Sequence, residues 1–157
     1  MSVPTIRRIA ATIVLSLPLA AAQAEAGGPL ANRASAVTPE LKARLASADL
    51  AAGARYFERK CSQCHDGEKT GGHAKGPFLW NVFGRKAGSI PGFDFSPAMK
   101  QANVVWDFAT LDYYLADTER AVPGRAMNFT GIADAALRAA VVVHVSRLGD
   151  APPPLPQ

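Results

Sequence analysis

Both cysteines of this 157-residue chain stand in one short stretch, Cys61-Ser62-Gln63-Cys64-His65. Two thiols two residues apart, followed at once by an imidazole, form the C-x-x-C-H pattern of c-type haem attachment. The thiols add to the haem vinyl groups as thioethers, and the two-residue gap matches the spacing of those vinyls. The adjacent histidine is then delivered under the iron as its proximal ligand. Other chemistries fit less well. A disulfide between Cys61 and Cys64 would close a tiny, strained loop for little entropic gain. A thioredoxin-like dithiol wants a βαβ setting, whereas the flanking pattern is helical. A zinc site borrowing His65 and His73 lacks a second ligand pair at matching spacing.

A haem iron so held needs a sixth ligand or an open face. The candidates are Met99, Met127, His73 and His144. Met127 lies in Pro123-Gly124-Arg125-Ala126-Met127-Asn128-Phe129, a turn-prone loop able to wrap a flat ligand. A single methionine is usually core filler, but this loop context favours ligation. Thioether sulfur favours ferrous iron and raises the potential, which suits a carrier. With both axial positions filled, no substrate reaches the metal, and the chemistry is outer-sphere electron transfer.

The elements that position these groups read as helices. One runs from Asp49 to about Lys60, with Leu50, Ala54 and Phe57 on one face and Gly53 permitting close approach of a crossing helix. Another runs from about Phe108 to Ala116, with Leu111, Tyr114 and Leu115 on one side. A third runs from about Ala135 to Leu148, capped by Asp134, with Leu137, Val141, Val145 and Leu148 as its apolar stripe. Long Gly- and Pro-punctuated segments lie between them, so the core is thin and a bound group must supply buried apolar surface.

The ends read differently. Residues 1–24 form a cleaved export signal: Arg7 and Arg8, an apolar run from Ile9 to Leu19, then Ala22-Gln23-Ala24 as the cleavage site. That run is too short to span a bilayer comfortably. Cleavage removes two arginines and no acid, lowering the formal charge of +4 by two. Residues 25–47 read as a flexible extension with one short helix, Thr38 its N-cap and Pro39 in its first turn. Residues 48–148 are the domain, and 149–157 a Pro-rich disordered tail. Hydrophobic residues make up 48% and charged residues 19%, an ordinary globular balance. No basic stripe interleaved with aromatics points to nucleic acid.

From Asp49 to Leu148 the chain resembles the class I cytochromes c of bacteria and mitochondria. The motifs that carry the likeness are Gly53 and Phe57, Cys61 to His65, Lys75-Gly76-Pro77, Phe83-Gly84-Arg85-Lys86-Ala87-Gly88 and Pro91-Gly92-Phe93. Further on come Trp106, Leu111, Tyr114 and Leu115, then Pro123-Gly124, Met127 and Phe129-Thr130-Gly131-Ile132. The resemblance implies an all-α fold of helices and long loops around one covalent haem c. It implies His65 and Met127 as axial ligands. It further implies that the Pro77 carbonyl accepts from the His65 ring, that Tyr114 hydrogen-bonds the Met127 sulfur or sits beside it, that Trp106 donates to a propionate, and that Arg85 offsets that charge.

Several positions depart from the family pattern. Phe95 replaces a propionate-bonding Tyr, Arg125 a small hydroxyl residue near the propionates, Met99 a polar distal residue, and His144 a Tyr on the last helix. Lys60, Lys75 and Lys86 remain of the docking lysines, but Glu119, Ala126, Ala133 and Asp134 stand where others are expected. Steering toward acidic partners is therefore weaker or differently aimed. Asn128-Phe129-Thr130 matches a glycosylation acceptor by chance. The reading is a periplasmic, monomeric, non-enzymatic shuttle between redox partner proteins, without stable membrane insertion after cleavage. The alternatives are a haem c subunit of a dehydrogenase or oxidase, or a haem enzyme or gas sensor with displaceable Met127.

Overall fold

The structure, a computed structural model, describes residues 29–32 and 36–157. The expected export signal, 1–24, lies outside them. Among the described residues, six α-helices follow a 3₁₀ turn at Leu30–Asn32: α1 Pro39–Ala46, α2 Leu50–Tyr56, α3 Pro97–Gln101, α4 Phe108–Ala116, α5 Thr118–Ala121 and α6 Ala135–Ser146. Among the described residues there is no strand, only an isolated antiparallel bridge between Lys86 and Val105. The protein is all-α. None of the described helices is long and apolar enough to cross a membrane.

The starts of these helices are set by side chains that accept orphan backbone N–H groups. Thr38, Asp49, Ser96, Asp117 and Asp134 each cap the helix that follows. Asp107 and Thr110 cap α4 reciprocally, each side chain serving the other's backbone N–H. Pro39 and Pro97 occupy the first turns of α1 and α3, where their missing N–H is harmless.

The central packing is α2 across α6. A Cβ at Gly53 would sit 2.2 Å from the Ala140 carbonyl oxygen, so the helices meet backbone to backbone. Phe57 is buried beside this crossing, whereas Leu50 is 41% exposed and lies off the buried face. The apolar side of α2 therefore runs through Gly53 and Phe57, not through Leu50. Beyond Tyr56 the helix widens into a π-helical turn, Phe57–Cys61. On α4, Leu111 and Tyr114 are buried as the spacing predicts.

Within residues 25–47, expected from sequence to form a flexible extension, the described residues 29–32 and 36–47 pack onto the domain. Leu41 and Leu45 point from α1 into the core at 4% and 1% exposure, and Leu30 at 1% joins them. α1 packs on α6 and the 3₁₀ turn on α4. This explains why α6 is buried across Ala139–Val143 rather than along one stripe. The core is correspondingly thicker than the spacing of the inner helices suggests. An ion pair ties the same elements. Buried Arg138 donates from Nε to Asp112 Oδ1 at 2.8 Å and from Nη1 to the Ile132 carbonyl at 2.7 Å. Arg44 of α1 approaches the other Asp112 oxygen at 3.9 Å. Because both charges are hydrogen-bonded, removing either partner strands the other.

Residues 149–157 carry no regular structure, but they are not detached. Asp150 accepts from Trp80 Nε1 at 3.2 Å and Asn81 Nδ2 at 2.8 Å, and pairs with Lys69 at 2.5 Å. Its own N–H donates to Asn81 Oδ1 at 2.9 Å, and Leu155 packs on the core. The Lys69 bond, then those from Asn81 and Trp80, holds the Asp150 carboxyl down to about 2.

Two outcomes follow from this packing. Gly53→Ala should destabilise the protein by about 1–3 kcal/mol or more in a denaturant titration, because the clashing atom is rigid backbone; a neutral effect would refute the close crossing. For Asp150, the folded pKa lies below the ordinary carboxylate value, so its contribution is full above that value and is lost as pH falls through about 2. The stability difference between the parent and Asp150→Asn, read from urea midpoints, should be constant near neutrality and shrink below about pH 4.

Candidate haem site

Cys61 closes the π-helical turn, and the chain keeps winding through the motif. Ser62 N–H donates to the Phe57 carbonyl at 3.0 Å, while Cys64 and His65 N–H donate to the Cys61 carbonyl at 3.0 and 2.9 Å. The α2–α6 crossing thereby fixes the direction in which all three groups emerge. Both thiols are free and half-buried. Burial, helped by the neighbouring Cys64, pushes the Cys61 thiol up to about 11. An oxidoreductase cysteine or a zinc thiolate needs the opposite shift. A half-buried, protonated thiol beside a second one suits thioether formation with a vinyl carbon.

His65 is oriented by one bond. Its Nδ1 lies 2.8 Å from the Pro77 carbonyl oxygen, which can only accept, so Nδ1 carries the proton and Nε2 presents its lone pair. Burial lowers the His65 pKa, and the Pro77 bond only partly opposes this, so the ring is held neutral. A neutral imidazole with one nitrogen anchored is the form that ligates a metal. Gly76 makes room: a Cβ there would lie 2.5–2.9 Å from ring atoms of His65. Its N–H also donates to the Cys64 carbonyl at 2.7 Å, pinning the loop to the motif.

From Pro77 a continuous series of contacts leads to Met127. Arg85 donates from Nη2 to the Phe78 carbonyl at 2.7 Å and from Nη1 to the Trp80 carbonyl at 3.3 Å. The Arg85 carbonyl accepts the Trp106 N–H at 3.0 Å. The Trp106 and Tyr114 rings, both buried, lie 5.3 Å apart between centroids. The Tyr114 hydroxyl, 3.9 Å from Met127 Sδ, points its weak donor bond at the thioether. Burial pushes Tyr114 up to about 12 despite the opposing Arg125 charge, so the phenol keeps its proton. The series thus joins His65, Pro77, Arg85, Trp106, Tyr114 and Met127 through chain neighbours, hydrogen bonds and one ring contact. An imidazole and a thioether are donors of the kind that haem iron takes. Arg85, expected near a propionate, spends these two bonds on the loop that carries Pro77.

The remaining candidates are occupied elsewhere. His73 donates from Nε2 to the Pro91 carbonyl at 2.9 Å and accepts the Phe78 N–H on Nδ1 at 3.0 Å, so both nitrogens are used. His144 packs its ring 4.8 Å from that of Phe57, a helix-to-helix contact. Met99 lies half-buried against the core. Phe95 packs edge-on against Phe93 at 4.9 Å. Arg125 turns to Thr118, Glu119 and the Phe129 carbonyl. Sequence reasoning passed over Thr118, which is fully buried, and Asp150; a single threonine in a polar loop gives no periodic signal.

No protein-family model matches the chain. Individual relatives do. Over 99 residues the chain is 41% identical to cytochrome c of Chlamydomonas reinhardtii, covering 63% of this chain and 88% of that protein. Over 101 residues it is 41% identical to cytochrome c2 of Rhodomicrobium vannielii, covering 64% of this chain and 80% of that protein. It is also 38% identical over 99 residues to cytochrome c type-1 of Ascaris suum, covering 62% and 86%. With the all-α fold and the C-x-x-C-H lining already in place, these likenesses show that the chain belongs to the cytochrome c family, whose members carry electrons and are not enzymes.

Proposed function

We propose that the protein holds one haem c through Cys61 and Cys64, with His65 and Met127 as axial ligands, and shuttles single electrons between redox partner proteins in a bacterial periplasm. The observation that carries this reading is the unbroken contact series from His65 through Pro77, Arg85, Trp106 and Tyr114 to Met127. Haem c, when bound, supplies a reversible one-electron iron couple. The protein's share is to keep the couple's surroundings constant. Pro77 fixes the His65 ring and raises its basicity. Tyr114 donates weakly to the thioether, which draws electron density from sulfur and favours the ferrous state. Trp106 has an indole N–H that no described side chain accepts, and it suits a propionate oxygen.

Export is supported by the basic and apolar segments of residues 1–24 and by the likeness to a cytochrome c2. The depleted lysines, with Glu119 and Asp134 in the expected docking ring, suit a partner surface less acidic than the family's usual one. The helix α1 is engaged by its own domain, which favours a free shuttle over a subunit docked through that segment.

Protein matured with haem should show, when oxidised, the weak long-wavelength sulfur-to-iron band, and Met127→Ala should abolish it. Haem bound without the band in the parent would remove Met127 as ligand and favour an open site that takes up carbon monoxide rapidly. Tyr114→Phe should keep the band and lower the potential by a few tens of millivolts, roughly one weak hydrogen bond in a one-electron couple. An unchanged potential would mean that the hydroxyl does not act on the sulfur.

A further inference from the structure

The residues on either side of Met127 converge on one buried hydroxyl. Thr118, at 0% exposure, opens α5. Its Oγ1 donates to the Phe129 carbonyl and accepts from Arg125 Nε at 2.5 Å. The directions are fixed, because a guanidinium only donates and a carbonyl only accepts. The same guanidinium donates from Nη2 to the Phe129 carbonyl at 3.3 Å and from Nη1 to Glu119. The other Glu119 oxygen accepts the Gly124 N–H at 3.1 Å. Thr118 N–H adds a bond to the Thr130 carbonyl at 3.2 Å. Arg125 stands two residues before Met127 and Phe129 two residues after it. The ligand loop is thus a ring closed by side chains, with Met127 at its middle. The Arg125 side chain is only 14% exposed, so these charge-assisted bonds are shielded from water.

We propose that Arg125 is a positioning residue for Met127: together with Thr118 it closes the ligand loop from both sides and sets how often the thioether leaves the iron. The inference rests on the reading that Met127 is the sixth ligand. For the sulfur to swing away, residues 125–129 must move, and movement at either end strains the bonds to Thr118. The family's small hydroxyl residue at this position has no such reach, so the brace belongs to this chain's own substitution. Glu119, standing where a docking lysine is expected, serves as its counter-charge.

The test is the rate at which the ferric holoprotein binds cyanide, which must wait for the thioether to leave. Arg125→Gln and Thr118→Val should each bind cyanide about tenfold faster or more, the equivalent of one charge-assisted hydrogen bond lost from the closed loop. Arg125→Lys, which keeps the charge and loses the fork, should accelerate too. The sulfur-to-iron band should persist at rest in all three, and amide exchange at Phe129 and Gly131 should quicken. Thr38→Ala removes the N-cap of α1, loosens the fold outside the contact series, and should leave the cyanide rate at the parent value. Unchanged rates in both Arg125→Gln and Thr118→Val, with the band present in the parent, would overturn the brace alone. Equal acceleration in Thr38→Ala would also overturn it, since general destabilisation would then explain the effect. A parent lacking the band would overturn the ligand reading and the brace with it. Should Arg125→Gln fail to retain haem, Thr118→Val decides the matter, because it leaves every charge in place.

Discussion

The structure depends first on the contact between α2 and α6 at Gly53 and Ala140, where two helix backbones touch without intervening side chains. A crossing this close has little freedom to slide or rotate. It therefore fixes the line along which α2 runs into its π-helical turn, and so the points from which Cys61, Cys64 and His65 emerge. Everything downstream is built to meet groups placed there. The N-terminal α1 presses on α6 from another side, with Leu41 and Leu45 filling the gap and Arg44 reaching the Asp112–Arg138 pair. The crossing is thus held from outside as well as within.

Between α2 and α4 lies a long stretch with only one short helix, and regular hydrogen bonding cannot hold it. Single side chains bound to backbone groups do so instead. His65 takes the Pro77 carbonyl, Arg85 those of Phe78 and Trp80, His73 the Pro91 carbonyl and the Phe78 N–H. Asp150 fastens Trp80 and Asn81 from the far end of the chain. Thr118 and Arg125 do the same for the loop of Met127. Buried backbone groups must find partners, and here the partners also carry the residues suited to a haem. Loop stability and site geometry are then one property, which suits a carrier whose surroundings must not rearrange as charge changes.

Much of this was legible in the sequence. The helix α4 coincides with its expected bounds, and α6 begins at the Asp134 cap as expected, because caps and period-3.6 apolar spacing are local signals. The C-x-x-C-H motif was legible because covalent attachment constrains spacing tightly. The packing of α1 was not. Its two core residues, Leu41 and Leu45, sit in an Ala- and Ser-rich stretch whose composition suggests a linker, and what buries them is the far face of α6. Leu50 misled in the opposite sense, since its position on the helix is right for a stripe but the crossing at Gly53 turns that edge outward. The anchoring of Asp150 and the fork of Arg125 depend on partners distant in the chain or on loop geometry, neither of which leaves a periodic trace.

On the proposed reading, the protein's own side chains fill both axial positions of the iron and keep them filled in both oxidation states. X-ray absorption at the iron edge of the holoprotein, oxidised and reduced, measures this directly. One sulfur and five nitrogens are expected around iron in both states, with nearly unchanged distances. Loss of the sulfur in either state, or an oxygen ligand in its place, would contradict it.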